Sequence, residues 1–171
     1  MTTGTTHEHT DGLATDPHGL AVVPAQRDPR DVLRDPRDPR EFVRDALHIA
    51  LSEVLDDAIG VSGALVATPD GMLVASDFRG MATGAGGAEP EVVAALSAAA
   101  AGLGAQFANV LLLGEASSTV VQGARGCVAV QQLPGRGVLV LFGNDGPNVA
   151  RLHLAARQAV PRIEAALREE A

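Results

Sequence analysis

From Val92 through Gly114 the chain carries not one charged residue: VVAALSAAAAGLGAQFANVLLLG. Its spacing predicts a long helix from about Pro90 to Leu113, and that helix has two apolar sides. Val93, Leu96, Ala100, Leu103, Phe107 and Val110 recur every three or four residues as a stripe of larger side chains. Ala94, Ala98, Ala101, Ala105 and Ala108 recur the same way and fall roughly opposite, because neighbouring positions sit about 100° apart. A surface helix of a soluble monomer is polar on its second side. Both sides of this one are therefore expected to face protein, the large stripe covering the helix's own sheet and the alanine side admitting a second helix. A membrane span competes, since 18 or more uncharged residues is the usual flag. Against it, Ser97, Gly102, Gly104, Gln106 and Asn109 leave the segment only mildly hydrophobic, and no basic cluster flanks it. A central helix inside a larger monomer fails on size, because the remaining chain is too short to wrap it.

The chain has 171 residues, which predicts one domain with a tail. Hydrophobic residues make up 46% but aromatics only 2%, so the core must be built from Leu, Val, Ile and Ala. Every basic residue is arginine and the net charge is −8. With no basic patch and no stacking aromatics, nucleic-acid binding is excluded as a function class. A single cysteine, Cys127, rules out an intramolecular disulfide and a cysteine-rich metal site. The N-terminus MTTGTTHEHT has no basic region followed by an apolar run, so no signal peptide is expected and the chain reads as cytoplasmic.

Residues 1–38 read as a disordered tail, rich in Asp, Pro and Arg and repeating RDPR before RDPRDPR. His7, His9 and His18 lie in it without a scaffold to converge them on a metal. The domain is expected over 39–171. Asp38 can cap a first helix, with Pro39 at its first position and Glu41 completing a capping box. Phe42/Val43, Ala46/Leu47, Ala50/Leu51, Val54/Leu55 and Ala58 form its apolar stripe, His48 sits at its polar boundary, and Gly60 ends it. A hairpin follows, VSGALVAT and MLVAS around Pro69-Asp70-Gly71. Arg79–Ala88 is a glycine-rich connection and a poor phosphate cradle, with no following Lys. After the long helix, Ser117–Gly123, Cys127–Gln132 and Val138–Phe142 read as a three-stranded meander. Ala64–Ala67 and Val138–Phe142 are continuous apolar runs, which places them mid-sheet; Ser117–Gly123 alternates, which suits an edge. A last helix follows Asn148, on a stripe of Val149, Leu152, Ala156, Val160, Ile163 and Leu167, with Pro161 expected to bend or divide it. Cys127 and His153 read as a packed thiol and a boundary histidine.

In its order of elements the chain resembles the roadblock/dynein light chain (light chain 7) family in its bacterial form. The resemblance covers about residues 43–169. It is carried by LSEVLDDAIGVSGALVATPDGMLVAS, by the small-residue helix leading to ANVLLLGEASSTVVQ, and by GCVAVQQLPGRGVLVLFGN. It implies an α+β fold of order α-β-β-α-β-β-β-α. The five-stranded antiparallel sheet would carry the first and last helices on one face and the long helix on the other. It also implies homodimers joined through the long helix and the neighbouring edge strand, with Ala94, Ala98, Ala101, Ala105, Ala108, Thr119 and Val121 as candidate contacts. Members of the family are not enzymes in themselves; bacterial ones act with small Ras-like GTPases in polarity, motility or signalling. Arg79, Met81 and Gln106 are then candidate partner contacts, with the Arg79–Ala88 loop expected near the two-fold axis. No cofactor, metal, nucleic acid or membrane insertion is implied. A small-ligand sensor or adaptor of a sensor-kinase system is the alternative, and needs convergent polar groups in an apolar pocket. An enzyme working through Cys127 and a histidine is a third reading, with no base near Cys127 in sequence to activate it.

Overall fold

The computed structural model describes residues 39–79, 89–144 and 149–168. The expected tail with its capping Asp38, most of the glycine-rich connection and the Asp145–Asn148 loop lie outside the described residues. The elements run α1 (Pro39–Asp57), β1 (Gly63–Ala67), β2 (Leu73–Phe78), α2 (Pro90–Val110), β3 (Ser118–Gly123), β4 (Gly126–Leu133), β5 (Gly137–Asn144) and α3 (Val149–Arg168). The strands form one sheet in the order β2-β1-β5-β4-β3, and every neighbouring pair is antiparallel.

The continuous apolar runs sit where burial on both faces demands them. β5 is central, β1 lies beside it, and the polar, alternating β3 is an edge. Along β1, Ala64 and Val66 join the layer under α1 and α3, while Leu65 and Ala67 join the layer under α2. Strand alternation thus divides one run of four residues between two cores. The first core takes Val43, Leu47, Leu51, Val54 and Leu55 from α1, and Leu152, Ala156, Ile163 and Leu167 from α3. Phe42, inside the stripe read from sequence, instead points outward at the start of α1. The β1–β2 reversal needs Gly71, whose φ of +88° an L side chain adopts only with strain. The Thr68 hydroxyl accepts from the Met72 N–H at 2.9 Å across that turn.

Pro161 does not divide α3, which runs unbroken from Val149 to Arg168. Proline removes one N–H bond to the carbonyl four residues back. Pro161 and Arg157 are both exposed, so water can satisfy that carbonyl on the wet side of the helix.

Candidate interaction surface

α2 begins at Pro90, whose missing N–H costs nothing at a helix start, with Glu91 in the first turn to complement the dipole. It crosses the sheet. Near its N-terminal half, a β-carbon on Gly71 would lie 3.0 Å from the Ala95 Cα; near its C-terminal half, one on Gly104 would lie 2.3 Å from the Thr119 Oγ1. The side resting on the sheet is Ala94, Ser97, Ala101, Gly104 and Ala108. All are buried except Gly104, which is half-buried beneath the Thr119 hydroxyl.

This reverses the sidedness expected from sequence. The large stripe faces away from the sheet, with Leu96 66%, Leu103 58% and Phe107 67% exposed, and Val110 more so. Val93 and Ala100 lie half-buried between the two sides. The physical reason is volume. Leu65, Val130, Val138 and Val140 already fill the sheet's upper face, so a helix can approach closely only on small residues. Of the alanines expected to meet a second copy, Ala94, Ala101 and Ala108 are therefore spent on the sheet, Ala98 is half-buried, and only Ala105 is open.

The helix ends in a motif that supplies more apolar surface. The Leu113 N–H donates to the Ala108 carbonyl at 2.8 Å and the Leu112 N–H to the Asn109 carbonyl at 3.2 Å, the paired bonds of a Schellman cap. The left-handed position of that cap usually belongs to glycine. Here it is Leu112, at φ +55° and 89% exposed. Leu111 and Leu113 beside it are exposed as well. Sequence reading placed these leucines inside the helix, expected to run to about Leu113, whereas α2 ends at Val110.

β3 lies against this end of α2, tied to β4 in part by the Gln131 amide, which donates to the Ser117 carbonyl at 2.7 Å. Thr119 and Val121 both point to the α2 face, opposite Val130 and Val128 of β4. Thr119 is half-buried under Gly104, and Val121 is 54% exposed. Among the described residues β3 is bonded to β4 alone, which leaves its outer row of backbone donors and acceptors open there. Edge strand, outer α2 face and leucine turn thus form one surface.

Arg79 is not part of it. It follows β2, the edge farthest from β3, and four strand spacings of about 4.8 Å put the two edges roughly 19 Å apart. Its guanidinium bonds Asp56, donates to the Ser52 carbonyl at 3.1 Å and hydroxyl at 2.8 Å, and lies 3.6 Å from Asp77. The hydrogen bond that it donates to the Asp56 carboxylate leads in holding its pKa above the ordinary arginine value. α1 ends in Glu53, Asp56 and Asp57 with no basic residue in its last turn, unfavourable for its dipole. Arg79 and Arg162 supply the missing positive charge from β2 and α3. Arg79 thus lies at the sheet edge opposite β3, and residues 80–88 of the loop expected near the two-fold axis lie outside the described residues. Gln106 is exposed on the outer side of α2, and Met81 lies outside the described residues.

Cys127 packs under α1 and α3, where burial pushes its thiol pKa up, away from a reactive thiolate. His153 is half-buried on α3.

The fold is that of roadblock/LC7 domains. A solved structure titled MglB with tetrameric arrangement matches with a TM-score of 0.64 at 23% identity, over 75% of this chain and 93% of that one. The gliding protein MglB from Thermus thermophilus matches with a TM-score of 0.64 at 20% identity, over 74% of this chain and 92% of that one. A roadblock/LC7 domain from Streptomyces avermitilis matches with a TM-score of 0.59 at 16% identity, over 71% and 97%. No protein-family model matches the chain, and no curated protein does.

Proposed function

We propose that the chain is a non-catalytic, homodimeric regulator or scaffold of a small Ras-like GTPase in a bacterial signalling, polarity or motility system, working in the cytoplasm without a cofactor. The observation that carries this reading is the exposed apolar side of α2, continuous with an open β3 edge. A water-facing surface of that kind is a liability unless a partner covers it. A second copy covers both parts at once: β3 pairs with β3 across a two-fold axis, and Leu96, Leu103, Phe107 and Val110 meet their counterparts. Two-fold contacts of this kind are self-complementary by construction. The shared fold with MglB, titled a gliding protein and in one structure a tetramer, supports both self-association and the motility setting. The GTPase enters through the resemblance to the roadblock family, so fold-level analogy carries that half of the proposal. Dimers joined at β3 leave Gln106 and the rest of the outer helix surface near the axis for it.

Light scattering on the full chain gives twice the monomer mass, and a pull-down of the cognate GTPase in GDP and GTP-analogue states retains it in at least one. A monomer refutes the dimer; no binding in either nucleotide state refutes the regulator. Binding with unchanged hydrolysis assigns a scaffold rather than an activator.

A further inference from the structure

On the opposite face of the sheet from α2, α3 runs past the end of α1 and leaves a hollow of ≈ 400 Å³ between them. Buried Val54 and Ala159 line it, and Ile59 and Leu154 border it with 88% and 53% of their surface in water. Arg162 also lines it and is already engaged, 2.9 Å from Asp57 and 3.8 Å from Glu53. α3 carries Arg151, Arg157, Arg162 and Arg168 against a single acid, Glu164, in a chain of net charge −8. Arg168 is taken by Glu164 at 3.0 Å. Arg151 and Arg157 are exposed and make no ion pair with any described residue. Spaced three residues to either side of Leu154, they flank it on successive turns of one helix.

We propose that this hollow docks an acidic amphipathic segment of a partner protein. An apolar side chain of the segment fills the space between Ile59 and Leu154, and carboxylates three or four residues to either side meet Arg151 and Arg157. Each half of the match needs the other. The apolar lining alone would take any greasy side chain, whereas the guanidinium of Arg151 in the lining, with that of Arg157 outside it on the far side of Leu154, selects negative charge and orientation. A continuous polyanion such as nucleic acid fits worse, because it brings no apolar side chain for the space between Ile59 and Leu154. The site shares no residue with the α2–β3 surface and stands or falls apart from the dimer.

The test places the photo-cross-linker p-benzoylphenylalanine at position 154 of the full chain in its own cells, with the same cross-linker at position 107 on the α2 face as reference. Adducts are mapped by mass spectrometry. Expected is a protein adduct whose cross-linked segment alternates apolar and acidic residues at helical spacing. In the Arg151→Glu/Arg157→Glu chain its yield falls about tenfold or more, while the adduct at position 107 is unchanged. Both substituted sites are exposed on a helix, and an unchanged circular dichroism spectrum and light-scattering mass exclude unfolding as the cause. No adduct at position 154, an adduct to a second copy or to nucleic acid, a segment without acidic residues, or a yield indifferent to the charge reversal each overturns the proposal.

Discussion

Leu103→Gln/Phe107→Gln separates the two possible orientations of α2. Both side chains face water in the single chain, 58% and 67% exposed, so the substitution removes nothing from the monomer's core. Glutamine is a good helix former, so α2 itself is preserved. Fully burying a Leu or Phe side chain is worth about 1.5–3 kcal/mol, and a two-fold contact counts each residue twice. Covering the exposed fractions of these two residues is therefore worth about 4–7 kcal/mol, or roughly 10³–10⁵-fold in Kd. Sedimentation velocity over a wide concentration range reads that shift as conversion of dimer to folded monomer. The matching control is Ala101→Gln. Ala101 is 7% exposed and packs in the layer of Leu65, Val130 and Val140, so the amide is forced into an apolar space. That variant loses stability by about 1–3 kcal/mol from the unsatisfied polar group, with further loss from overpacking. An unchanged dimer Kd in the double variant refutes the reasoning, as does Ala101→Gln giving a stable, well-folded monomer.

Gly104→Ala places a methyl 2.3 Å from the Thr119 Oγ1, and equilibrium unfolding shows a loss of about 1–3 kcal/mol. In a Thr119→Ala background the nearest remaining atom is the residue-119 Cβ at 3.6 Å, so the same change becomes neutral or gains up to about 1 kcal/mol of helix propensity. Arg79→Ala lowers the thermal midpoint more at low salt than at high salt, because it removes exposed ion pairs to Asp56 and Asp77. It leaves GTP hydrolysis by the cognate GTPase unchanged, since the guanidinium is committed to α1. Iodoacetamide labels Cys127 slowly at neutral pH in the native protein: burial raises the thiol pKa, so the thiolate fraction falls below that of a free cysteine, and denaturant restores the fast rate.

The sheet was readable because strands burying both faces have no room for polar residues. Ala64–Ala67 and Val138–Phe142 show this directly, and their neighbours follow from the turns at Gly71 and Gly135. The sidedness of α2 was not readable, because a helix with two apolar sides satisfies hydrophobic periodicity in either orientation. What decides it is the space left above Leu65, Val130 and Val140, which depends on sheet order and register. Arg79 illustrates a second gap. In sequence it opens a glycine-rich connection, but its partners Ser52 and Asp56 come from a helix more than twenty positions earlier. The hollow at Ile59 and Leu154 was hidden for the same reason: its lining is divided between α1 and α3, nearly a hundred residues apart in sequence.

α2 is long and apolar enough, by length and composition, to cross a membrane, and its packing argues for a different use of that composition. Ala94, Ser97, Ala101, Gly104 and Ala108 hold the helix so close to the sheet that one methyl at Gly104 would collide with Thr119. Moving α2 into a bilayer would strip this layer and leave Leu65, Ala67, Val130, Val138 and Val140 facing water. Each large residue uncovered costs about 1.5–3 kcal/mol, a sum comparable to the whole stability of a domain of this size. A second copy makes no such demand, because it covers the outer stripe while the sheet keeps the inner one. The same docked arrangement leaves Val121 exposed on the α2 side of the open β3 edge, offering a partner backbone bonds as well as apolar area. A lipid surface cannot supply the backbone half of that match, whereas the second copy proposed above would supply both.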